Sequence, residues 1–213
     1  MKKQNKKAQA NDVKVKNNIK AETVNTQKTR KLVMCAILTA FVVILQYMGS
    51  FLKFGPFSVT LVLVPIVIGA AVCGVSYATW LGFVFGAIVL VTDSAAFMAI
   101  NAPGTILTVL AKGTLAGLVS AFVYKLISKS NTKNKTLATI ITAIICPIVN
   151  TGIFVVGCNL FFMEALTQWG AAAGFESAGA YILYGMIGGN FIFEVVVNMI
   201  LSPVIVRIIK LRK

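Results

Sequence analysis

The chain has 213 residues, of which 58% are hydrophobic, and it carries a formal net charge of +14. Its mean hydropathy of +0.87 is far above that of a soluble domain, so the sequence predicts an all-α integral membrane protein. Histidine is absent and the four cysteines are widely spaced, which excludes histidine triads and the common zinc and redox motifs. We therefore expect no metal, no cofactor and no catalytic residues, and the chain is not expected to be an enzyme.

The first segment is strongly basic. Residues 1–31 hold ten of the 20 lysines and arginines, and their few apolar side chains predict a disordered cytoplasmic leader. The domain 32–209 follows, and a basic cytoplasmic tail, 210–213, ends the chain. A spanning helix needs about 20 residues. The domain is therefore predicted to contain six transmembrane helices, at about 32–51, 57–73, 75–91, 105–127, 137–163 and 181–209.

The helix count rests on one long apolar run and on the placement of charge. The run 57–91 would form a helix of about 52 Å, well over the hydrocarbon core of roughly 30 Å, so it is divided at Cys73-Gly74. The basic clusters Lys125 to Lys135 and Arg207 to Lys213 belong on the cytoplasmic side with the leader. Six crossings with both termini cytoplasmic satisfy that pattern. The charge is then explained by topology and by contact with membrane lipid, and not by binding of nucleic acid.

Lys112 is the residue most informative about function, because it lies deep inside the apolar run 106–127. An ammonium at that depth costs roughly 2.5 to 3.5 kcal/mol on insertion scales, so a partner or a ligand is expected. Two groups of polar residues form stripes at helical spacing that should face the bundle interior: Thr105, Thr108 and Lys112 in the fourth helix, and Asn190, Glu194 and Asn198 in the sixth. The fifth helix carries Asn150 at its middle and Asn159 nearer its outer end.

Two interpretations of Lys112 stay open. It could form a structural ion pair with Glu194, from which it is offset by roughly 9 Å along parallel helix axes. Alternatively, it could line a cavity open to the outside and meet an anionic or carboxylate-bearing solute. The second interpretation predicts that the ammonium binds ligand.

Three motifs carry a resemblance to a known family: Ala36-Ile-Leu-Thr-Ala40 in the first helix, the loop Phe54-Gly55-Pro56-Phe57, and Lys112-Gly-Thr-Leu-Ala-Gly-Leu-Val119 in the fourth helix. With the basic leader and the six helices, residues 28–213 resemble a substrate-binding S component of an energy-coupling factor (ECF) transporter. The resemblance implies a multi-pass protein of the cell membrane that captures a small water-soluble vitamin from outside. It also implies two kinds of partner, a transmembrane coupling subunit and two ATP-binding cassette ATPases.

The resemblance also implies roles for individual residues. Ala36 and Ala40 would contact the coupling subunit. The loop 92–104 would form an outer gate, with Asn101 and Pro103 near its end. The expected substrate-binding residues are Lys112, Thr108, Asn150, Asn159, Tyr184 and Asn190.

Pantothenate is the first candidate for the solute, because the stretch Gly55 to Gly74 and the Lys112 region resemble pantothenate-type members most, and a lysine suits a carboxylate. Riboflavin is the second, favoured by Phe97, Trp169 and Tyr184. Two alternatives come from other classes. A stand-alone secondary transporter would use Glu194 and Asp93 as proton carriers, and a structural membrane protein would bind no solute at all. These alternatives differ in what replacing Lys112 or Glu194 should do.

Overall fold

The structure is a computed structural model that describes the backbone of residues 2–51, 53–54, 57–58, 61–128 and 132–211, and the side chains of 22–51, 61–128, 135–189, 191–201, 204 and 207. These residues are almost wholly helical. The helices are α1 (Lys2–Phe51), α2 (Leu63–Val72), α3 (Val75–Thr92), α4 (Ala95–Ile100), α5 (Ala102–Ile127), α6 (Thr132–Phe161), α7 (Met163–Ala172), α8 (Ala178–Ala180), a π-helix (Tyr181–Ile187) and α9 (Gly188–Leu211). Two short strands, β1 (Lys53–Phe54) and β2 (Phe57–Ser58), pair antiparallel after α1.

Five helical segments among the described residues are long and apolar enough to span a membrane: Glu22–Phe51, Val75–Thr92, Ala102–Ile127, Lys135–Phe161 and Ala178–Leu201. Such a set is typical of a multi-pass membrane protein. The prediction of a second helix over 57–73 is wrong at its start. Phe57 and Ser58 lie in a strand, and α2 has only ten residues, or about 15 Å.

The division at Cys73-Gly74 is confirmed, because α2 ends at Val72 and α3 begins at Val75. Gly74 makes this break with φ of 107°, a conformation that L side chains rarely adopt. The region 92–104, predicted to be a loop, contains the six-residue helix α4. Its apolar sequence allows a short helix to form between two sharp turns.

At the N-terminus, α1 runs back to Lys2, whereas the sequence predicts a disordered leader over residues 1–31. This leader contains no proline and no glycine. It therefore has no helix-breaking residue, and the helix of the apolar segment continues back through it. Within the same helix the apolar part, Glu22–Phe51, is the candidate membrane span.

The centre of the bundle is α5, which packs between α3 and α6. Glycines bring α3 and α5 into backbone contact: a Cβ on Gly86 would lie 2.7 Å from the carbonyl oxygen of Val109, and a Cβ on Gly82 would collide with the carbonyl of Gly113. The paired positions run in opposite directions along the two helices, so α3 and α5 are antiparallel. Small residues at this spacing permit such an approach.

The face of α6 that packs on α5 is also small. A Cβ on Gly157 would collide with the side chain of Thr108, and the α5 residue Gly104 is held against Phe161. These pairs make α5 and α6 antiparallel. The predicted sixth helix, 181–209, has a different beginning, because residues Tyr181–Ile187 form a π-helix before α9.

A candidate ligand site at Lys112

Lys112 lies between aromatic rings from the two helices that flank α5. Its Nζ is 5.7 Å from the centre of the Phe85 ring on α3 and 5.2 Å from the centre of the Phe154 ring on α6. A ring face attracts a cation within about 6 Å and contributes roughly 0.5 to 2 kcal/mol. The rings therefore replace part of the hydration that the ammonium loses in the bundle. Because a ring face is a weak acceptor, the ammonium can still donate to an anion.

Two buried side-chain oxygens lie on α5 and α6. Thr108, one turn before Lys112 on α5, is 4% exposed, and Asn150, one turn before Phe154 on α6, is 5% exposed. Within the described part of the chain, neither Thr108 Oγ1 nor Asn150 Oδ1 has a hydrogen-bond partner. An unpaired buried polar atom costs about 1 to 3 kcal/mol. These oxygens are therefore suitable positions for a ligand that carries hydroxyl or amide donors.

Glu194 and Asn198, predicted to share one face of α9, are both buried, and the Asn198 side-chain amide donates to the Glu194 backbone oxygen at 2.9 Å. The Glu194 carboxylate attracts the Lys112 ammonium electrostatically, and so, more weakly, does Asp93. The close contacts that the structure describes for the ammonium itself are the two aromatic rings.

Asp93 belongs to a second polar cluster, at the end of the bundle where α3 finishes and α5 begins. The Gln46 side-chain amide, on α1, donates to Asp93 Oδ2 at 2.6 Å, and the Thr92 hydroxyl donates to the same oxygen at 2.8 Å. Gln46 is only 2% exposed. Since a carboxylate accepts hydrogen bonds and cannot donate them, the amide nitrogen must face Asp93. This cluster ties α1 to the end of α3.

An aromatic cluster lies at the same end. Phe97 of α4 meets Phe154, Phe162 and Trp169 with centroid distances of 5.9, 4.9 and 5.5 Å, all close to edge-to-face. Phe97 therefore packs directly on the ring that lies under Lys112. Beside it, a cleft of about 300 Å³ is lined by Ile100, Phe161, Phe162, Glu164, Ala165 and Gln168. The segment 92–104 thus covers the end of the bundle nearest the candidate site.

Several predicted site residues lie apart from Lys112. Asn159 is exposed, and its side-chain amide donates to the Val155 backbone oxygen at 2.8 Å. Tyr184, on the π-helix, is 77% exposed. The side chain of Asn190 lies outside the described residues. Lys112, Thr108 and Asn150 are the members of the predicted set that are partly or wholly buried in α5 and α6.

The predicted gate residues lie at the start of α5. Asn101 Oδ1 accepts a hydrogen bond from the Gly104 backbone N–H at 2.9 Å and caps the helix. Pro103, in the first turn of α5, is exposed, a position where its missing N–H is not needed. Both residues fix where α4 ends and α5 begins.

The face of α1 that carries Ala36 and Ala40 is exposed. Large apolar side chains surround the two alanines on this face, and it continues toward Ile44, Tyr47 and Met48. The opposite face of α1 is buried at Cys35, Leu38 and Val42, against α2 and α3. One side of α1 therefore packs in the bundle while the alanine side is open to lipid or to another protein.

Sequence analysis did not identify Phe85, Phe154 or Gln46 as site residues. Aromatic residues are common in membrane helices, so nothing in the sequence distinguishes these two from lipid-facing rings. Gln46, a polar residue within the first apolar run, is a usable signal, because amides avoid lipid. It identifies a buried polar contact of α1.

Comparison with known families supports the resemblance found in the sequence. Among curated proteins and among solved structures, none matches the chain significantly. The sequence model of the family described as "ECF transporter, substrate-specific component" matches residues 30–206, which is most of the chain. The membrane-spanning part of the protein lies almost entirely within that match. The chain therefore belongs to the family of substrate-specific components of ECF transporters.

Proposed function

We propose that this protein captures a small water-soluble vitamin with an anionic group, and that pantothenate is the first candidate. Components of this family work with a membrane coupling subunit and ATPases, and they are transporter subunits. The observation that carries the proposal is the position of the Lys112 ammonium between two ring faces. Unpaired oxygens lie about one helical turn away along the same helices, Thr108 Oγ1 on α5 and Asn150 Oδ1 on α6. Pantothenate has a carboxylate that can accept from the Lys112 ammonium, and hydroxyl and amide groups that can donate to the Thr108 and Asn150 oxygens.

Riboflavin is the second candidate solute, and the structure favours it less. Two of the aromatic residues that suggested it, Phe97 and Trp169, pack edge to face on each other. The third, Tyr184, is 77% exposed on the π-helix. A flat ring system would have to separate the packed pair in order to stack between them. Asn159 and Tyr184 are exposed, so they would contact the solute after a rearrangement of the outer end around it. Asn190 is also a proposed contact.

The proposed topology has six passages with both termini cytoplasmic. The Gln46–Asp93 hydrogen bond supports it, because it joins the C-terminal ends of α1 and α3. Two helices that end at the same side of the membrane run parallel, so the chain between them must return across it. The segment 52–74, which includes α2, then supplies the second passage, although α2 alone spans only about half of the hydrocarbon core.

We further propose that Ala36 and Ala40 contact the coupling subunit. Their exposure on α1 supports this, and small residues four apart allow a partner helix to approach closely. Under the same topology α4, with Asn101 and Pro103, closes the outer end, and the solute enters there.

The test measures thermal unfolding of the purified protein in detergent with pantothenate, with riboflavin and with a panel of other water-soluble vitamins. A ligand at 100 times its Kd stabilises the protein by about 2.7 kcal/mol. Lys112→Met removes a charge-assisted hydrogen bond of about 1.5 to 3 kcal/mol, so at the same concentration the stabilisation should fall to roughly 0.3 to 1.3 kcal/mol. Lys125→Met, an exposed lysine on the same helix, is the matched control and should behave as the wild type.

The unliganded Lys112→Met protein should still unfold cooperatively, at a lower Tm than the wild type, because the buried Glu194 carboxylate loses a nearby cation. Loss of binding would then not be a loss of fold. Equal stabilisation by pantothenate in both proteins would refute the role of Lys112. No stabilisation by any vitamin would refute the proposed capture of a vitamin.

A further inference from the structure

The hydrogen bond between Gln46 and Asp93 is placed to control α4. Asp93 and Ser94 are the whole connection between α3 and α4. Both are fixed to the last turn of α3, since the Asp93 backbone N–H and the Ser94 hydroxyl donate to the Val89 carbonyl at 2.9 and 3.0 Å. Gln46 adds a contact from a different helix at 2.6 Å. The starting point of α4 is therefore set by α1 as well as by α3.

Helix α4 in turn positions one wall of the candidate site. Its only buried side chain, among those that the structure describes in this helix, is Phe97. The Phe97 ring packs on Phe154, and the Phe154 ring lies 5.2 Å from the Lys112 Nζ. A displacement of α4 would therefore change the ring against which the ammonium is held. The contacts form a continuous path from Gln46 to Lys112.

A buried glutamine in a membrane helix has a free-energy cost, which argues that Gln46 has a role other than packing. Gln46 Oε1 is buried and has no hydrogen-bond partner among the described residues. A leucine of similar volume would leave no unpaired oxygen at this position, although Asp93 Oδ2 would then lose one of its two described donors. What leucine lacks is the directional bond to Asp93.

We propose that Gln46 and Asp93 form a latch that holds α4 over the Lys112 site, and that they are positioning residues for solute capture. The latch joins two parts of the molecule with different proposed roles. Its Gln46 half belongs to α1, whose exposed face carries Ala36 and Ala40, and its Asp93 half leads into α4. The expected effect on solute dissociation rests on the proposed function. The fixed position of α4 does not, because it depends only on contacts within the chain.

The first experiment needs no solute. Nitroxide labels are placed at Ala99 on α4 and at Lys125 at the far end of α5, both exposed, after replacement of the four native cysteines. The distance distribution between them is measured by pulsed electron paramagnetic resonance. Gln46→Leu should broaden or shift the distribution. Asp93→Asn should keep the wild-type distribution, since its amide oxygen can still accept from Gln46, whereas Asp93→Ala should not. Thr142→Val, which removes another buried hydroxyl, is the control. A wild-type distribution in Gln46→Leu overturns the latch.

The second experiment measures dissociation of radiolabelled pantothenate. Gln46→Leu leaves the charge of the protein unchanged, and loss of a charge-assisted hydrogen bond should speed dissociation about tenfold. An unchanged rate, together with a mobile α4, would overturn the positioning role. If the wild type binds no pantothenate, the proposed solute fails, and the spin-label distances still decide whether the latch exists.

Discussion

A methyl group added at Gly86 tests whether the contact of α3 with α5 builds the site. An ideal Cβ there would lie 2.7 Å from the Val109 carbonyl oxygen and 3.1 Å from the Leu110 Cα, whereas ordinary contacts begin near 3.4 Å. Both obstacles are backbone atoms, so no side chain can rotate away. The two helices must separate by about 0.7 Å or bend, and overpacking of this kind typically costs about 1 to 3 kcal/mol.

The control is Gly152→Ala on α6, since a Cβ there would meet nothing within 4 Å. Alanine is the better helix former by roughly 1 kcal/mol in water, so this variant should be as stable as the wild type or more stable. For a chain of this size, 1 kcal/mol corresponds to about 2 to 4 °C in Tm. Gly86→Ala should therefore lower the Tm by roughly 2 to 12 °C, measured by thermal unfolding in detergent, and Gly152→Ala should not lower it.

The same substitution should also weaken binding of the solute. Phe85 directly precedes Gly86, and its ring centre lies 5.7 Å from the Lys112 Nζ. A separation of about 0.7 Å carries the ring beyond the roughly 6 Å range of a cation–π contact. Gly86→Ala should then raise the Kd for pantothenate, measured by isothermal titration, and Gly152→Ala should leave it unchanged. A Gly86→Ala protein with wild-type Tm and wild-type affinity would show that the helix contact does not build the site.

Three further predictions concern other parts of the chain. Ala40→Trp should block copurification of the protein with the coupling subunit while solute binding survives. Ala171→Trp, at another exposed alanine, should leave both copurification and solute binding unchanged. Copurification of the Ala40→Trp protein would contradict the proposed contact. Gly74→Ala should lower the Tm through backbone strain of about 1 to 3 kcal/mol, because φ is 107° although no neighbour is in the way. Asn101→Ala should cost about 1 kcal/mol by removing the cap on Gly104 N–H, and Asn101→Ser should recover most of it, both measured by thermal unfolding.

Much of the bundle can be predicted from the sequence because length and charge are strong signals in membranes. The apolar runs that contain Lys112 and Asn150 predict helices, and they are α5 and α6. The turn at Gly74 is predictable because an apolar run of that length cannot be one straight helix. The start of α2 is not, since a run of apolar residues predicts a helix equally well where the chain forms a short strand pair.

The site residues divide by the kind of signal that they give. Lys112 stands out in any apolar run because of its cost in lipid. Asn159 and Tyr184 depend on depth and helical period alone. The π-helix at Tyr181–Ile187 adds residues per turn and rotates the side chains within it and after it, so a face counted at 3.6 residues per turn is no longer the interior face. Tyr184 is accordingly exposed.

The glycines and Lys112 are separate features in the sequence, and the structure joins them. Gly82 and Gly86 remove the side chains that would hold α3 away from α5, so Phe85, between them, can reach the ammonium on the neighbouring helix. The close approach of the two backbones sets where the Phe85 ring lies relative to the Lys112 ammonium. The small residues are therefore not neutral packing, because the same close approach that stabilises the pair of helices also builds one wall of the site. Substitutions that loosen this contact should reduce stability and solute affinity together, whereas Gly152→Ala, where an added Cβ meets nothing, should reduce neither.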